Sequence, residues 1–299
     1  IPSLAARHSW FEATARKRVA GLLDPGSFVE ILPPAESSPS PHLAKLDLPG
    51  AFDDGIVIGY GQLEKKPIFV AAQEGQFIGG AVGEIHGAKL VGLLKRAARE
   101  KPAAVLLLID SGGVRLHEAN AGLIAISEIM RAVLATRAAG VPVLALIGGS
   151  CGAFGGMGIV AKLCSAIIIS EEGRLALSGP EVIETVAGVE EFDSKDRALV
   201  WRVTGGKHRY LMGDCAALVE DDIPAFRAGA AEFLAAWSEP VPSVGQLRAS
   251  QQTLENRLAA YATFRDGLQV WAALGVAQPE SVPMLDRDSL VALKEGLPT

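Results

Sequence analysis

Two glycine-rich loops hold the residues in this sequence whose types and spacing best suit chemistry. The first, Gly148-Gly149-Ser150-Cys151-Gly152, fits the G-x-S-x-G pattern that turns a serine out between a strand and a helix. A hydrolase built on it needs a histidine and an acid further on. Only His208 follows Ser150, with Glu190, Asp193 or Asp196 as the acid, which compresses the whole triad into residues 150–208. The second loop is Asp110-Ser111-Gly112-Gly113. Two successive glycines leave backbone N–H groups unobstructed, and donors aimed at one point with no side chain in the way make an oxyanion hole. The same pair serves equally as a strand-to-helix turn that needs positive φ, and the residues alone leave both readings open.

Other motifs carry less. The histidines, His8, His42, His86, His117 and His208, lack metal-ligand spacing, so no metal site is expected. His117-Glu118 stands out only because it adjoins the double glycine. No GxxxxGK[ST] loop occurs, and the glycines of residues 75–87 lack the fixed spacing of a dinucleotide site. Lys195, Arg197, Arg202, Lys207, His208 and Arg209 form a basic cluster in a chain of net charge −6. It reads as a solvated helix face, or as a site for an acidic partner or a phosphorylated cofactor arm.

The elements that position these loops follow from hydrophobic period. Apolar positions at helical spacing predict a helix over residues 4–23, ending at Asp24-Pro25-Gly26, then a proline-rich irregular arm over residues 33–54. Strands are expected at Ile56–Tyr60 and Ile68–Ala72 with a turn near Glu64–Lys66. Helices at 82–99, 119–139 and 152–163 then alternate with continuous apolar strands at 103–109, 143–147 and 166–169. That alternation implies parallel strands covered on both faces, with loops at their carboxyl ends as the candidate site. A tail pattern from about 244 to 274 spaces Leu254, Leu258, Tyr261, Phe264, Leu268 and Trp271 helically, for packing on the chain's own core or on a partner subunit.

Composition sets the outer bounds. The 299 residues are 49% hydrophobic and 21% charged, an ordinary globular balance, with 33 glycines as the outlier. The negative net charge argues against a general nucleic-acid or anionic-membrane surface. Cys151, Cys164 and Cys215 form no CxxC pair, which suggests a reducing compartment. No apolar run approaches the ~20 residues of a membrane span, and the first residues lack the apolar core of a secretion signal. A cytoplasmic protein is expected.

Several segments resemble a known family. Residues 23–30 (LDPGSFVE), Gly79-Gly80, Ser111-Gly112-Gly113-Val114-Arg115-Leu116-His117-Glu118-Ala119 and Ser178-Gly179-Pro180-Glu181-Val182-Ile183-Glu184 are similar, in order, to the carboxyltransferase β subunits of acyl-CoA carboxylases. The four-cysteine zinc ribbon of the bacterial acetyl-CoA carboxylase β subunit is absent. Residues 40–43 (SPHL), 52–55 (FDDG), 71–75 (AAQEG) and 83–89 (GEIHGAK) look instead like the malonate decarboxylase β subunit.

The resemblance implies an α/β crotonase/ClpP-like fold, a spiral of ββα units. It also implies decarboxylation of a malonyl thioester through an enolate. It carries the oxyanion role onto Gly112 and Gly113 and, more loosely, onto Gly152, Ala153 and Phe154; His117 is a possible proton donor. Arg202, Lys207 and Arg209 would receive the carrier. The implied partners are a γ subunit of similar fold, an acyl carrier protein and an acyl carrier protein transferase (α) subunit. No cofactor is expected directly on the chain; the substrate would ride on the carrier's phosphoribosyl-dephospho-CoA arm. One carboxyltransferase-like domain is expected, with the N-terminal helix and arm at 1–55, the core at 56–235 and a helical extension at 236–299. A biotin-dependent carboxyltransferase β subunit, a non-catalytic scaffold and the serine hydrolase are the alternatives.

Overall fold

The computed structural model describes residues 8–36, 38–45, 54–240 and 243–297. Seven strands form one sheet: β1 (Val29–Ile31), β2 (Ile56–Leu63), β3 (Lys66–Gln73), β4 (Ala104–Ile109), β5 (Val143–Ile147), β6 (Ala166–Ser170) and β7 (Ala217–Val219). They lie side by side in sequence order. The first three are antiparallel, and β3 to β7 run parallel. The helices are α1 (Ala15–Leu22), α2 (Pro41–Lys45), α3 (Glu84–Glu100), α4 (Ala121–Ala138), α5 (Gly155–Leu163), α6 (Pro180–Ala187), α7 (Arg197–Thr204), α8 (Gly206–Leu211), α9 (Ile223–Ala236), α10 (Val244–Tyr261), α11 (Gly267–Ala273) and α12 (Arg287–Glu295).

Strand β4 shows why continuous apolar runs are needed here. Val105, Leu107 and Ile109 pack into a core with Leu90, Leu94 and Ile129 of α3 and α4. Ala104, Leu106 and Leu108 face the other way, into a core with Val19 and Leu22 of α1 and Phe226 of α9. Both faces are covered, so every position must be apolar.

The β2–β3 hairpin turns at Glu64 and Lys65, both with φ in the left-handed region (50° and 64°), and no glycine relieves them. Asp24 holds the turn instead. Its carboxylate accepts the N–H groups of Glu64 (3.1 Å) and Lys65 (2.8 Å), and Arg227 binds the same group at 2.6 Å. Arg227 first, then these amides, hold the Asp24 carboxyl below its ordinary pKa.

Several expectations need correction. The N-terminal helix begins at Ala15, because the Thr14 side chain accepts the Lys17 N–H and caps it there; residues 4–7 lie outside the described residues. The arm contains α2 and a short 3-10 turn at Pro34–Glu36, while residues 37 and 46–53 lie outside the description. Helix α5 starts at Gly155, since Gly152 has φ 68°, Ala153 bridges the neighbouring loops and Phe154 is extended. The single tail helix is two: Asp266 and Gln269 form a capping box that starts α11 afresh. The tail stripe divides accordingly. Leu254 and Leu258 on α10 point outward, whereas Trp271 is fully buried and Leu268 packs on the core. Among the described residues no helix is long and apolar enough to cross a membrane.

One buried ion pair ties the N-terminal segment to the sheet. Arg18 and Asp110, each 2% exposed, meet at 2.8 Å. The guanidinium also donates to the carbonyls of Trp10 (2.8 Å) and Phe11 (3.2 Å). Asp110 sits where β4 ends, and its other oxygen accepts the Cys151 N–H at 2.7 Å. Burial raises the Asp110 pKa, and Arg18 is the chief influence against it. Arg18→Met would strand the carboxylate, at a cost of about 3–5 kcal/mol. With its chief counterweight gone and only the Cys151 amide left to oppose burial, the folded-state pKa of Asp110 stands further above its unfolded value. The loss should therefore shrink as pH falls toward that raised pKa. Urea unfolding at pH 8 and pH 5.5 checks both points, and adding Asp110→Asn should recover much of the loss at pH 8.

Candidate active site

Past the ends of β4, β5 and β6 the chain forms a second, shorter tier of pairing. Ser111 bridges Ala153, and Ala153 bridges Leu175, in parallel. The Ser111 N–H reaches the Gly152 carbonyl at 2.7 Å, and the Phe154 N–H returns to the Ser111 carbonyl at 2.9 Å. This tier carries Gly112-Gly113 up against the first turn of α5. Gly113 has φ 129° and Gly155 has φ 56°. A Cβ on Gly155 would lie 3.1 Å from the Gly113 Cα. Bare backbone therefore meets bare backbone, an approach that side chains here would prevent.

The donors divide differently from expectation. Gly112 gives its N–H to the Gly79 carbonyl at 2.9 Å. Gly113 gives its own only to the Ser111 hydroxyl, at 3.2 Å. In the second loop the N–H groups of Gly152, Ala153 and Phe154 are all taken, by the carbonyls of Gly149, Arg174 and Ser111. The next free donors lie just beyond. Helix α5 has no side-chain cap, the Gly155 N–H reaches the Leu177 carbonyl, and the Gly156 and Met157 N–H groups have no partner among the described residues. Gly156 is partly exposed. A helix N-terminus with open amides favours negative charge. Gly113 is buried and bonds only a hydroxyl of its own loop, and the Gly156 N–H is open, so these two donors are the least committed to other backbone.

A buried polar network fixes this arrangement from behind. Arg115 pairs with Glu118 at 2.9 Å and also donates to the carbonyls of Asp54 and Ala81. Glu118 accepts the Glu84 N–H at the start of α3. Lys89 pairs with Asp54 at 3.1 Å. His86 lies between Gln73 and the Asp54 carbonyl, its pKa pushed down to about 3 by burial first and by Arg115 next, so it is a neutral structural group. Gln73 in turn accepts the Asp110 N–H. The spacing of Arg115 and Glu118 (i, i+3) was the available signal for part of this. The Gly155-Gly156 pair was the signal for the donors that sequence reading passed over.

The remaining site residues fall as follows. His117 is exposed on the turn after Gly113, with no hydrogen-bond partner among the described residues. Arg202, Lys207 and Arg209 do not form an open basic surface. Arg202 grips Asp266 through two nitrogens, the shorter contact at 2.7 Å. Lys207 is buried, at 2.8 Å from Glu171 and 2.7 Å from the Pro283 carbonyl. Arg209 binds Asp214 at 3.3 Å. Carboxylates neutralise all three, and Arg202 and Lys207 reach across to the C-terminal segment at Asp266 and Pro283. Ser150 fares no better as a nucleophile. Its Oγ contacts only the Cys151 Sγ at 4.0 Å, and His208 is buried with a pKa lowered to about 3.

Comparison with known proteins places these features in a context. A family described as carboxyl transferase domain matches residues 7–251. The malonyl-S-ACP:biotin-protein carboxyltransferase of Malonomonas rubra is 43% identical, over 97% of this chain and 96% of its own. A putative propionyl-CoA carboxylase β chain of Bacillus subtilis is 35% identical over 64% of this chain but only 36% of its own. Among solved structures, a Pseudomonas malonate decarboxylase hetero-tetramer in complex with malonate has a TM-score of 0.81 at 40% identity, covering 90% of this chain and 98% of that one. A Pseudomonas malonate decarboxylase hetero-dimer matches with a TM-score of 0.68 at 38% identity, covering 86% and 99%. The crotonase-like α/β architecture expected from the sequence is the one observed.

The Ser150 geometry yields a direct check. With no imidazole in reach, the hydroxyl has nothing to activate it. A fluorophosphonate probe should leave the native chain at its unmodified mass; stoichiometric labelling of Ser150 would restore the hydrolase reading.

Proposed function

The chain belongs to the carboxyl transferase family, and on that premise we propose that it removes the carboxyl group of a malonyl thioester carried by an acyl carrier protein. The observation that carries this reading is the pair of lightly committed backbone donors, the Gly113 and Gly156 N–H groups, which the tier brings together at the start of α5. Cleaving the bond from Cα to the carboxylate leaves its electron pair on Cα, from which it spreads onto the thioester oxygen. The carboxylate carbon departs as CO2, and a proton then closes the acetyl group at Cα. The Gly113 N–H leaves the Ser111 hydroxyl for the incoming oxygen, and the Gly156 N–H approaches from α5. Fixed donors of this kind stabilise a developing oxyanion without reorganising, each contributing roughly 10²–10³ in rate. His117, exposed on the same loop, is the candidate proton donor. The phosphoribosyl-dephospho-CoA arm remains the expected form of the substrate's tether, and the three unpaired cysteines suit a cytoplasmic setting.

A partner completes the site in this reading. Leu116 (81% exposed) follows Gly113, Leu123 and Ile124 open α4, Leu177 accepts from Gly155, and Val182 and Val186 (82% exposed) lie on α6. Exposed apolar residues concentrated on the elements that carry a polar site are suited to covering by another subunit, which would also exclude water. The γ subunit is the proposed occupant, and the hetero-oligomeric state of the similar Pseudomonas enzyme supports it. The Malonomonas rubra relative's name supports a second ending, in which the carboxyl group passes to biotin instead of leaving as CO2. Decarboxylation by the purified complex in the presence of avidin separates the two: the direct route is insensitive to it.

Two further predictions follow from this geometry. Proline at position 113 is a poor probe, because φ 129° lies far outside what its ring allows. Replacing the peptide N–H at position 113 with an ester oxygen deletes the donor and leaves φ alone. It should lower kcat by about 10²-fold with KM little changed, whereas the same replacement at 112 removes only the bond to Gly79 and should cost far less. Equal losses at both positions would place the thioester oxygen elsewhere. Leu116→Asp combined with Val186→Asp should leave the isolated chain's melting temperature near wild type but abolish co-purification with γ. Retention of the complex would mean that the partner binds another face.

A further inference from the structure

Nearly every arginine in the described structure that is withdrawn from solvent has an acid beside it. Arg18, Arg96, Arg115, Arg137, Arg202, Arg209, Arg227 and Arg257 each meet a carboxylate within 4.0 Å. Arg174 does not. It follows β6, and its peptide carbonyl accepts the Ala153 N–H, so its backbone belongs to the tier that carries the site. Its guanidinium lies 5.5 Å from the Phe154 ring centroid and 4.9 Å from that of Trp201. One nitrogen, Nη2, donates to the Ser150 carbonyl at 2.5 Å, and Nε is buried without a partner. Nη1 is neither buried nor bonded among the described residues. A second guanidinium, that of exposed Arg197, lies 5.6 Å from the same Trp201 ring. It too has no carboxylate partner among the described residues.

Two cations on one indole, unneutralised in a chain of net charge −6, make an unusual local field. The rings position the guanidiniums but supply no countercharge. Burial and the neighbouring Arg197 both weaken the charged form of Arg174, and Cys151, Glu181 and Asp110 offset this only through space. Two guanidiniums so placed suit an anionic ligand. A guanidinium fork matches tetrahedral oxyanions in geometry as well as charge, and a diphosphate spreads its oxygens widely enough to engage two such groups.

We propose that Arg174 and Arg197, held on Trp201, bind the diphosphate of the nucleotide-like arm that delivers the thioester. This assigns to Arg174 and Arg197 the docking role that Arg202, Lys207 and Arg209 are too well neutralised to fill. It rests on the malonyl-thioester reading above for the identity of the arm, and the binding itself can be measured without turnover.

The test uses the full chain and two probes: dephospho-CoA, which carries the diphosphate and no acyl group, and pantetheine, which lacks every phosphate. Isothermal titration should show dephospho-CoA binding to wild type, weakened about tenfold or more by Arg174→Gln and by Arg197→Gln. Pantetheine should not distinguish the variants from wild type. Arg197 is exposed, so its substitution cannot act through misfolding, and Arg174→Lys should recover part of the affinity by keeping the charge without the fork. Unchanged dephospho-CoA affinity in Arg197→Gln, or no binding to wild type, would overturn the proposal. Absence of decarboxylase activity with intact dephospho-CoA binding would instead sink the catalytic reading and leave this site standing.

Discussion

The Arg18–Asp110 pair is the constraint on which the catalytic end of the molecule depends. Asp110 occupies the last buried position before Ser111, and its oxygens are divided between Arg18 and the Cys151 amide. One side chain thereby fixes the relative position of the β4 loop, the β5 loop and the N-terminal helix. The surrounding space admits nothing else. A Cβ at Gly149 would fall 2.1 Å from the Asp110 carboxylate, and one at Gly80 would fall 1.7 Å from its carbonyl oxygen. Glycines are needed at these positions so that a charged pair can be packed this tightly. An isolated buried pair rarely adds stability over an apolar equivalent, and its value here is in specifying one geometry.

In the proposed reaction the chemistry built on this anchor is almost entirely main-chain chemistry. Side chains close to the double glycine, Arg115, Glu118 and Ser111, are spent on positioning. They bond carbonyls, amides or one another. That suits a reaction whose main requirement is to hold negative charge on one oxygen. Amide dipoles on rigid strand ends do this with little rearrangement, and the low polarity of the buried tier strengthens them.

Sequence legibility followed the range of the interactions. The strand at Val143–Ile147 is observed with the bounds its apolar run suggested, because burial on both faces leaves a local trace. Three-residue β1 and β7 leave too short a trace to register a period. The basic cluster was misjudged for a related reason. Arg202, Lys207 and Arg209 lie close together in sequence, but the acids of the first two come from positions 266 and 171, and charge balance set by the fold cannot be seen along the chain. Arg18 and Asp110 lie 92 residues apart and gave no sign of each other. The glycine pair at 112–113 marked its loop in the sequence, yet which N–H is open there depends on the Gly79 carbonyl, contributed by the loop after β3.

The order of the strands bears on how this chain is made. Because each strand lies beside its predecessor, a polypeptide leaving the ribosome can add every new strand to an edge already in place, which keeps most pairings short in sequence. The N-terminal segment is the exception. Trp10 stacks on Phe226 of α9 at 3.9 Å between ring centroids, and the Ile223 amide bonds the His8 carbonyl. Those contacts have no counterpart until α9 has been synthesised. The segment around Trp10 therefore finds its full complement of neighbours only after α9 has been made, some two hundred residues later in the chain, and closes over a sheet already assembled.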